Sequence, residues 1–375
     1  MKGHANGMYT NGFFKRQLSK DLGSGQDGTY TVTAAGTVVN SYAHLTSSAS
    51  VGAQTINVNS LSGFAVGDQV MLVAMQNCGG TTGQYEFVTI QSTGTFPSPF
   101  FTFNTTLQNT YPSGTFNSTC SYVSQVVKVR QYETLVINGG ASVTSQAWNG
   151  YSGGIVVFRV KSSFTNSGSV TVSSKGFRGP TAIGGNGGRQ GESPRGMGSV
   201  NTSNSLGGGG GGSSTGYVCS STVGVGSGGG GGYGTAGGAG VAGSTSGAGG
   251  GTYGTSDGST IHLGSGGGAG GSGYPASYVS AYGSGSGAGA ILIFARSVGG
   301  TLLAQGGGGG GGYKGDCYDA APGGAGSGGM IMVRSQTTPS ISSSAVSGGG
   351  SAGSNISGHI SGAGGSGRIV LLGLQ

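Results

Sequence analysis

Residues 289–297, GAILIFARS, decide the architecture of this chain, because a similar pattern occurs three more times. In each copy two small residues lead into a run of apolar residues. The other copies are GGIVVFRV at 153–160, GGMIMVRS at 328–335 and SGRIVLL at 366–372. Continuous apolar runs bounded by glycine predict strands that are buried on both faces. Recurring units that cannot bury their faces alone predict a stack in which these strands become neighbours.

A second, shorter strand is predicted after the long apolar runs. A polar turn leads to SVTV at 169–172, to TLLA at 301–304 and to SAV at 344–346, and glycines follow each of them. The repeats therefore predict a glycine-rich domain over residues 146–375. We expect it to be a β-solenoid or a stack of strands that return to one core from distant parts of the sequence.

The first part of the chain follows a different pattern. From residue 29 to about residue 144 it reads as short strands, rich in β-branched and aromatic residues and bounded by Gly, Asn, Ser or Pro. Between two of them, Gly67 is expected to supply a permissive backbone and Asp68 to hydrogen-bond its own turn. We predict a β-sandwich-like or β-barrel-like domain over 29–145, after an N-terminal attachment segment at 1–28. The predicted strands include Tyr30–Thr33, Thr55–Val58, Val70–Val73, Tyr85–Ile90, Gln125–Val129 and Thr134–Ile137.

Glycine makes up 91 of the 375 residues. Runs such as Gly207–Gly212, Gly228–Gly232 and Gly306–Gly312 exclude a helix or an ordinary strand interior. Two states remain, a flexible coil of the linker type and packed extended segments of the polyproline II type. The packed state is favoured because matching strand repeats flank the glycine stretches on both sides, whereas a linker joins separate domains. We therefore expect an all-β chain in which polyproline II segments are interleaved with the strands.

Charge is sparse and excludes some classes of partner. Only 7% of the residues are charged, and the net charge of +7 comes from 16 Lys and Arg residues that are spread thinly. No basic run alternates with aromatic residues, so we predict no nucleic-acid partner. No stretch approaches the ~20 apolar residues of a membrane span. The first residues also lack the apolar core of a signal peptide.

Four cysteines, two in each half of the chain, lack the close spacing of a zinc site. Pairing within each half would give the disulfides Cys78–Cys120 and Cys219–Cys317. Two such disulfides would imply an oxidising destination. The alternative is four free thiols in a reducing compartment.

Candidate catalytic groups are isolated from one another. Asp257 lies five residues before His262, but no Gly-x-Ser-x-Gly elbow organises the two. Asp316 and Asp319 would supply only two carboxylates, whereas calcium takes six to eight oxygens. Glycan-cleaving enzymes normally need a pair of carboxylates, and the glycine-rich half has few acidic residues. We therefore predict a protein that is not an enzyme, with no catalytic residues, metal or cofactor.

Tyrosines are the most informative side chains of the glycine-rich half. Tyrosine among glycine and serine is typical of binding loops, where a rigid amphipathic ring lies beside adaptable neighbours. The alternative is that the rings cover the glycine segments as a surface cap. The candidate surface contacts are Tyr217, Tyr233, Tyr253, Tyr274, Tyr278, Tyr282, Tyr313 and Tyr318.

Short apolar strands between glycine runs that carry Tyr and Ser resemble the tail-fibre tip adhesins of tailed bacteriophages. That resemblance implies a polyproline II sandwich whose connecting loops touch a host receptor. A second group of motifs is similar to modules that open glycine-rich β-proteins secreted by bacteria. These motifs are Val51-Gly52-Ala53, Gly67-Asp68, Met75-Gln76, Trp148-Asn149-Gly150, Gly153-Gly154-Ile155 and Gly176-Phe177-Arg178-Gly179.

The predicted function is therefore structural and adhesive. The first hypothesis is a phage tail-fibre or tail-tip adhesin that binds a bacterial surface receptor or glycan. The second is a self-assembling subunit of an extracellular filament, sheath or surface layer, and a polysaccharide-degrading solenoid enzyme is a distant third. In either of the first two cases we expect an extracellular or virion-surface location and a homo-oligomer or larger assembly. Assembly of a virus particle followed by lysis would export such a protein without a signal peptide.

Overall fold

The computed structural model describes residues 22–114, 121–180, 187–213, 225–241, 245–272, 283–314, 319–352 and 358–373. Within these ranges the regular elements are nineteen strands, which confirms the predicted all-β class. Over the same ranges, no helix has the length and apolar character that crossing a membrane requires. The strands are β1 (Thr29–Val32), β2 (Thr37–Val38), β3 (Tyr42–His44), β4 (Thr55–Asn57), β5 (Gln69–Asn77), β6 (Tyr85–Gly94), β7 (Phe100–Phe103), β8 (Tyr122–Lys128), β9 (Arg130–Ile137), β10 (Ser142–Thr144), β11 (Ile155–Asn166), β12 (Ser169–Thr171), β13 (Ala290–Ala295), β14 (Gly299–Leu303), β15 (Tyr313–Lys314), β16 (Asp319–Ala320), β17 (Met330–Ser335), β18 (Ser340–Ala345) and β19 (Arg368–Gly373).

An antiparallel sheet is formed from the first part of the chain. Its six strands lie in the order β3-β8-β5-β6-β7-β4. A bridge between Leu45 and Val58, directly after β3 and β4, joins the two edge strands. One core of this sheet is formed by apolar side chains that include Leu72, Phe101 and Phe103. The sheet thus curls toward a barrel around its own core.

The turn that leads into β5 has the predicted local chemistry. Gly67 has a φ of +90°, in the region that favours glycine. The Asp68 carboxylate accepts a hydrogen bond of 2.7 Å from the backbone N–H of Ala65. Lys128 lies 2.7 Å from the same carboxylate, so the turn is also pinned to β8.

The four apolar repeats lie in one parallel sheet. Its order is β1-β9-β11-β13-β17-β19, and the repeats form its last four strands. Ile155 pairs with Ala290, Ala290 with Met330 and Met330 with Arg368, so the repeats are aligned in register. A second parallel sheet, β18-β14-β12-β10-β2, contains the shorter strands that were predicted to follow them.

The apolar runs of β11, β13 and β17 are buried on both faces of the first parallel sheet, as predicted. For the fourth run, β19, that prediction is wrong, because β19 is an edge strand whose Ile369 and Leu371 are exposed. Alternate residues of β13, such as Ile291 and Ile293, pack toward the second parallel sheet and its Leu302. The intervening residues, such as Leu292, share a core with Met71 of the antiparallel sheet. The molecule is therefore layered, with the first parallel sheet in the middle.

Strands from both sides of the predicted boundary at residue 145 share these sheets. β1 and β9 pair with each other, and β9 pairs with β11 in the first parallel sheet. β2 and β10 pair in the second parallel sheet, and β10 pairs with β12. The division of the chain at residues 28 and 145 stays a prediction.

Buried glycine-rich segments within residues 187–367, called the glycine bundle here, are held by hydrogen bonds between segments. Every third residue of one segment donates a backbone hydrogen bond to the same neighbouring segment. Gly226, Gly229 and Gly232 donate to the carbonyls of residues 213, 210 and 207. Gly228 and Gly231 donate instead to Pro322 and Ala325. The donors of this segment therefore point to each neighbouring segment once every three residues.

The absence of side chains is what allows these segments to approach. A Cβ atom added to Gly229 would overlap the carbonyl group of Ala248. One added to Gly211 would overlap the carbonyl group of Gly188. Because both obstacles are backbone atoms, neither can be relieved by a change of side-chain rotamer.

Candidate functional site

The structure describes three of the eight tyrosines that were predicted as surface contacts. Tyr313, in β15, is 48% exposed. Tyr233 is fully buried, and the Tyr253 hydroxyl donates a 2.6 Å hydrogen bond to the carbonyl of Leu263. A surface-contact role does not fit the burial of Tyr233 in this conformation. The other candidates, Tyr217, Tyr274, Tyr278, Tyr282 and Tyr318, lie outside the described residues.

Tyr233 and Tyr253 belong to an interior aromatic cluster. Their ring centroids are 4.8 Å apart, and the Tyr253 ring is 5.3 Å from that of His262. The Arg368 guanidinium lies 5.5 Å from the centre of the Tyr233 ring. Burial, and secondarily the charge of Arg368, lowers the pKa of His262 to about 3. The rings fill space beside segments that have no side chains of their own, so this cluster is part of the core.

Glu192, the one fully buried acidic residue of the described ranges, is also structural. Its carboxylate accepts hydrogen bonds from Gln76 Nε2 at 3.1 Å and from Trp148 Nε1 at 3.0 Å. Arg178 forms an ion pair of 2.8 Å with it. A buried carboxylate that is paired and hydrogen-bonded in this way connects the antiparallel sheet to the glycine-rich half.

The remaining predicted groups give no cluster in the described residues. Cys78 is disulfide-bonded. Its predicted partner Cys120, like Cys219 and Cys317, lies outside the described ranges, so both pairings stay predictions. In the part of the chain that the structure covers, no three His, Cys, Asp or Glu side chains are placed to hold a metal ion.

A surface groove of about 680 Å³ lies at one edge of the antiparallel sheet. His44 enters it from the end of β3, Tyr122 from the start of β8, and Tyr151 from the connection between β10 and β11. Two tyrosines are solvent-facing, since Tyr122 is 38% and Tyr151 49% exposed. The lining is completed by Leu45, Thr46, Ser113, Gly114 and Val123.

The aromatic groups of the groove are held in place by short-range contacts. The rings of His44 and Tyr151 are stacked, with centroids 4.9 Å apart and planes inclined by 30°. The Asn149 side chain accepts a 2.9 Å hydrogen bond from the backbone N–H of Tyr151. The backbone of His44 is tied to Asn59 through both its N–H and its carbonyl. The backbone of each member of the stacked pair is thus hydrogen-bonded, His44 at the end of β3 and Tyr151 in the connection between β10 and β11.

Neutral polar chemistry dominates the groove. Burial lowers the pKa of His44 below its usual 6.5, so the imidazole is neutral at pH 7 and has one donor and one acceptor nitrogen. Hydroxyls come from Thr46, Ser113 and the tyrosines, and none of the described lining residues is acidic, Lys or Arg. Flat ring faces beside hydroxyl and imidazole groups suit a ligand with apolar faces and a hydroxylated edge.

No sequence pattern marks His44, Tyr122 or Tyr151 as functional. They are separated by 78 and 29 positions. The pairing of β3 with β8 brings His44 near Tyr122, and two hydrogen bonds between Gln125 of β8 and the backbone of Gly153 hold the connection that carries Tyr151 beside them. One local signal was available, because the Asn149-Gly150-Tyr151 turn places a tyrosine directly after two turn-forming residues.

Comparisons with known proteins give little further information. No protein-family model and no curated protein matches the chain. Among solved structures, it is similar to the Gp54 tailspike of Acinetobacter baumannii bacteriophage AP22, in complex with A. baumannii capsular saccharide. The TM-score is 0.21 and the identity 13%, over 39% of this chain and 27% of the tailspike chain. The match therefore spans about a quarter of the tailspike, and at this TM-score it carries no argument about fold or function.

Proposed function

We propose that this protein is a non-enzymatic adhesin of a phage tail fibre or tail tip, which binds a glycan on the bacterial surface. The observation that carries the proposal is the groove in which Tyr122 and Tyr151 face solvent beside the half-buried His44. A sugar ring presents an apolar C–H face that can lie on an exposed aromatic ring. Its hydroxyls can exchange hydrogen bonds with the imidazole and the hydroxyl groups of the lining.

Binding without cleavage is the role that this lining supports. Hydrolysis of a glycosidic bond normally uses two carboxylates that flank the scissile bond. The described residues of the groove instead offer neutral donors and acceptors. Such a site would retain a surface polysaccharide without breaking it, as attachment requires.

The proposal includes a specific architecture for the scaffold. Consecutive strands alternate between the two parallel sheets. In each of the pairs β9-β10, β11-β12, β13-β14 and β17-β18, the first strand lies in the first sheet and the second strand in the second sheet. This order supports a β-solenoid of stacked turns. The three-residue recurrence of hydrogen-bond donors at Gly226, Gly229 and Gly232 supports segments of the polyproline II type, which have three residues per turn.

The test is attachment of the fluorescently labelled protein to whole bacteria and to arrayed capsular and lipopolysaccharide glycans. We expect the double variant Tyr122→Ala/Tyr151→Ala to lose binding by about tenfold or more, because both exposed rings are removed. Tyr313→Ala removes an exposed tyrosine of the glycine-rich half and serves as the matched comparison. Loss of binding in Tyr313→Ala, with full binding in the double variant, would move recognition away from the groove.

One observation favours the second candidate function, a self-assembling subunit. β19 is an edge strand of the first parallel sheet, and its Ile369 and Leu371 are 40% and 51% exposed. Both are aligned with core residues of β17, namely Ile331 and Val333. A second copy added at this edge would cover them. Sedimentation that shows oligomers for the wild type and monomers for Ile369→Lys/Leu371→Lys would support assembly.

A further inference from the structure

A second, smaller pocket lies near the outer edges of the two parallel sheets. Its volume is about 200 Å³, and it is bordered by β1, β2 and β9 together with the residues just before and after them. The lining residues are Asp27, Tyr30, Val38, Val39, Arg130 and Tyr132. Ligand pockets for drug-sized molecules span roughly 300–1,000 Å³, so this one has room for a single ring.

One wall of the pocket is an aromatic platform. Tyr30 and Tyr132 are stacked, with centroids 5.7 Å apart and planes within 10° of each other. Tyr132 is 4% exposed and packs edge-on against Phe158, which anchors the pair in the core. Tyr30 is 40% exposed, so the part of its ring that Tyr132 leaves uncovered remains accessible.

The polar wall is an ion pair that is already oriented. Arg130 lies 3.0 Å from Asp27 through one terminal nitrogen, and its Nε donates a 2.8 Å hydrogen bond to the carbonyl of Val39. The second oxygen of Asp27 accepts a 2.6 Å hydrogen bond from the backbone N–H of Gln131. A guanidinium has five N–H donors and a carboxylate about four acceptor sites. After these bonds the pair retains donors and acceptors side by side.

We propose that this pocket binds one neutral pyranose ring of a bacterial surface glycan. The apolar face of the sugar lies on Tyr30, and two adjacent hydroxyls bridge Asp27 and Arg130, one donating to the carboxylate and one accepting from the guanidinium. A neutral sugar is favoured over an acidic one because Asp27 already neutralises Arg130 and would repel a second carboxylate. This inference rests on the proposed glycan-binding function and adds a second site to it.

The two sites are close along the chain. Val39 lines the pocket and His44 lines the groove, and five residues of extended chain span at most about 18 Å. Neighbouring sugars of one polysaccharide, or two adjacent chains, could therefore occupy both sites. Simultaneous occupancy raises the effective affinity for a cell surface well above that of either site.

The experiment titrates the full chain with the methyl glycosides of glucose, galactose, mannose and N-acetylglucosamine, with binding followed by ligand-observed NMR. We expect at least one to bind in the millimolar range of single-ring ligands and to lose about tenfold in affinity in Arg130→Lys, which removes the planar guanidinium, or in Tyr30→Ala, which removes the ring. Thr29→Ala is the matched control, because Thr29 is an exposed neighbour in β1 outside the pocket. Absence of binding by all four glycosides, or equal binding in Tyr30→Ala, would overturn the proposal.

Two further arms separate this inference from the proposed function. Tighter binding of methyl glucuronide than of methyl glucoside would contradict a neutral ligand and overturn the assignment. If Tyr122→Ala/Tyr151→Ala abolishes attachment to bacteria while no methyl glycoside binds, the adhesin proposal stands and the pocket fails. If the glycosides bind through Tyr30 while the double variant attaches normally, the pocket stands and the groove fails.

Discussion

The strand β13 and the glycine segment 226–232 are both buried, but by opposite means. In β13 every residue from Ala290 to Ala295 is buried, and side chains fill the space between layers. In segment 226–232 the residues are buried although six of the seven are glycine, and neighbouring backbones fill the space. The comparison shows that one chain can form an interior by adding side chains in one region and by omitting them in another.

The two interiors differ in what stabilises them. Apolar burial contributes about 25 cal/mol per Å² in the strand core. A hydrogen bond between glycine segments contributes only about 0.5–1.5 kcal/mol net, while ordering each residue costs roughly 1–2 kcal/mol and glycine more. On these values the ordering cost exceeds the gain from hydrogen bonds in the glycine bundle. The bundle therefore depends on the apolar strands that enter and leave it, such as β13 and β17.

The largest expected effect is the removal of a side chain from the strand core. Leu292 is fully buried between Val157 and Met332 in neighbouring strands. Leu292→Ala should lower the free energy of unfolding by about 2–5 kcal/mol, because it leaves a cavity in a layer that is covered on both faces. Urea denaturation followed by tyrosine fluorescence measures the change.

The matched control for this variant is the same substitution at an exposed leucine. Leu371 of β19 is 51% exposed, so Leu371→Ala should change the free energy of unfolding by less than about 1 kcal/mol. Equal losses in the two variants would mean that the middle layer is no more tightly packed than its edge.

A smaller loss is expected when one carbon atom is added to the glycine bundle. Gly229 donates to Gly210 and accepts from Gly268, and a Cβ atom there would overlap the backbone of Ala248. Gly229→Ala should therefore destabilise the protein by about 1–3 kcal/mol, since whole segments must move apart. The same urea titration measures it, and hydrogen exchange of the surrounding amides should become faster.

Gly350 provides the control, because a Cβ atom there would meet nothing within 4 Å and its φ lies outside the region that favours glycine. Gly350→Ala should be neutral or stabilise the protein by about 0.4–1 kcal/mol, because alanine restricts the unfolded chain. If both variants were neutral, the segments around Gly229 would not be packed in contact.

The strand core could be predicted from the sequence because its signals are local. The apolar runs of β11, β13 and β17 are buried as their composition predicts, whereas the similar run of β19 lies at an edge and is partly exposed. The similarity of the runs also indicates that Ile155, Ala290, Met330 and Arg368 occupy equivalent places. The glycine bundle gives no such signal. One glycine resembles the next, so the sequence does not show that Gly229 pairs with Gly210 and Gly228 with Pro322.

The candidate site was harder to predict for a related reason. Tyrosine in a glycine-rich context indicated surface contacts, but Tyr233 fills space that glycine neighbours leave in the core. The groove depends on His44, Tyr122 and Tyr151, whose separation in sequence hides their proximity. A site of this type is created by the pairing of β3 with β8 and by the packing of the β10–β11 connection against them, which no local pattern reports.

The smallest expected effect concerns the junction of the two regions, where His262 lies against Gly83 of the β5–β6 connection and the rings of Tyr233 and Tyr253. Burial and the nearby charge of Arg368 lower the pKa of His262 from 6.5 to about 3. Between these values the unfolded chain binds the proton and the folded protein does not. Stability must therefore fall as the pH falls through this window, with a limiting slope of about 1.4 kcal/mol per pH unit.

His262→Gln removes the titrating group while it keeps a polar side chain of similar size, so the variant should lose this part of the pH dependence. Relative to pH 7, the wild type should lose about 1 kcal/mol more than the variant at pH 5.5. Urea titrations of both proteins at pH 7, 6.5, 6 and 5.5 measure the difference, and contributions from His44 and the carboxylates cancel in the comparison. Parallel curves for the two proteins would show that His262 is accessible to protons in the folded state. The glycine bundle and the antiparallel sheet would then be less tightly joined than the strand core.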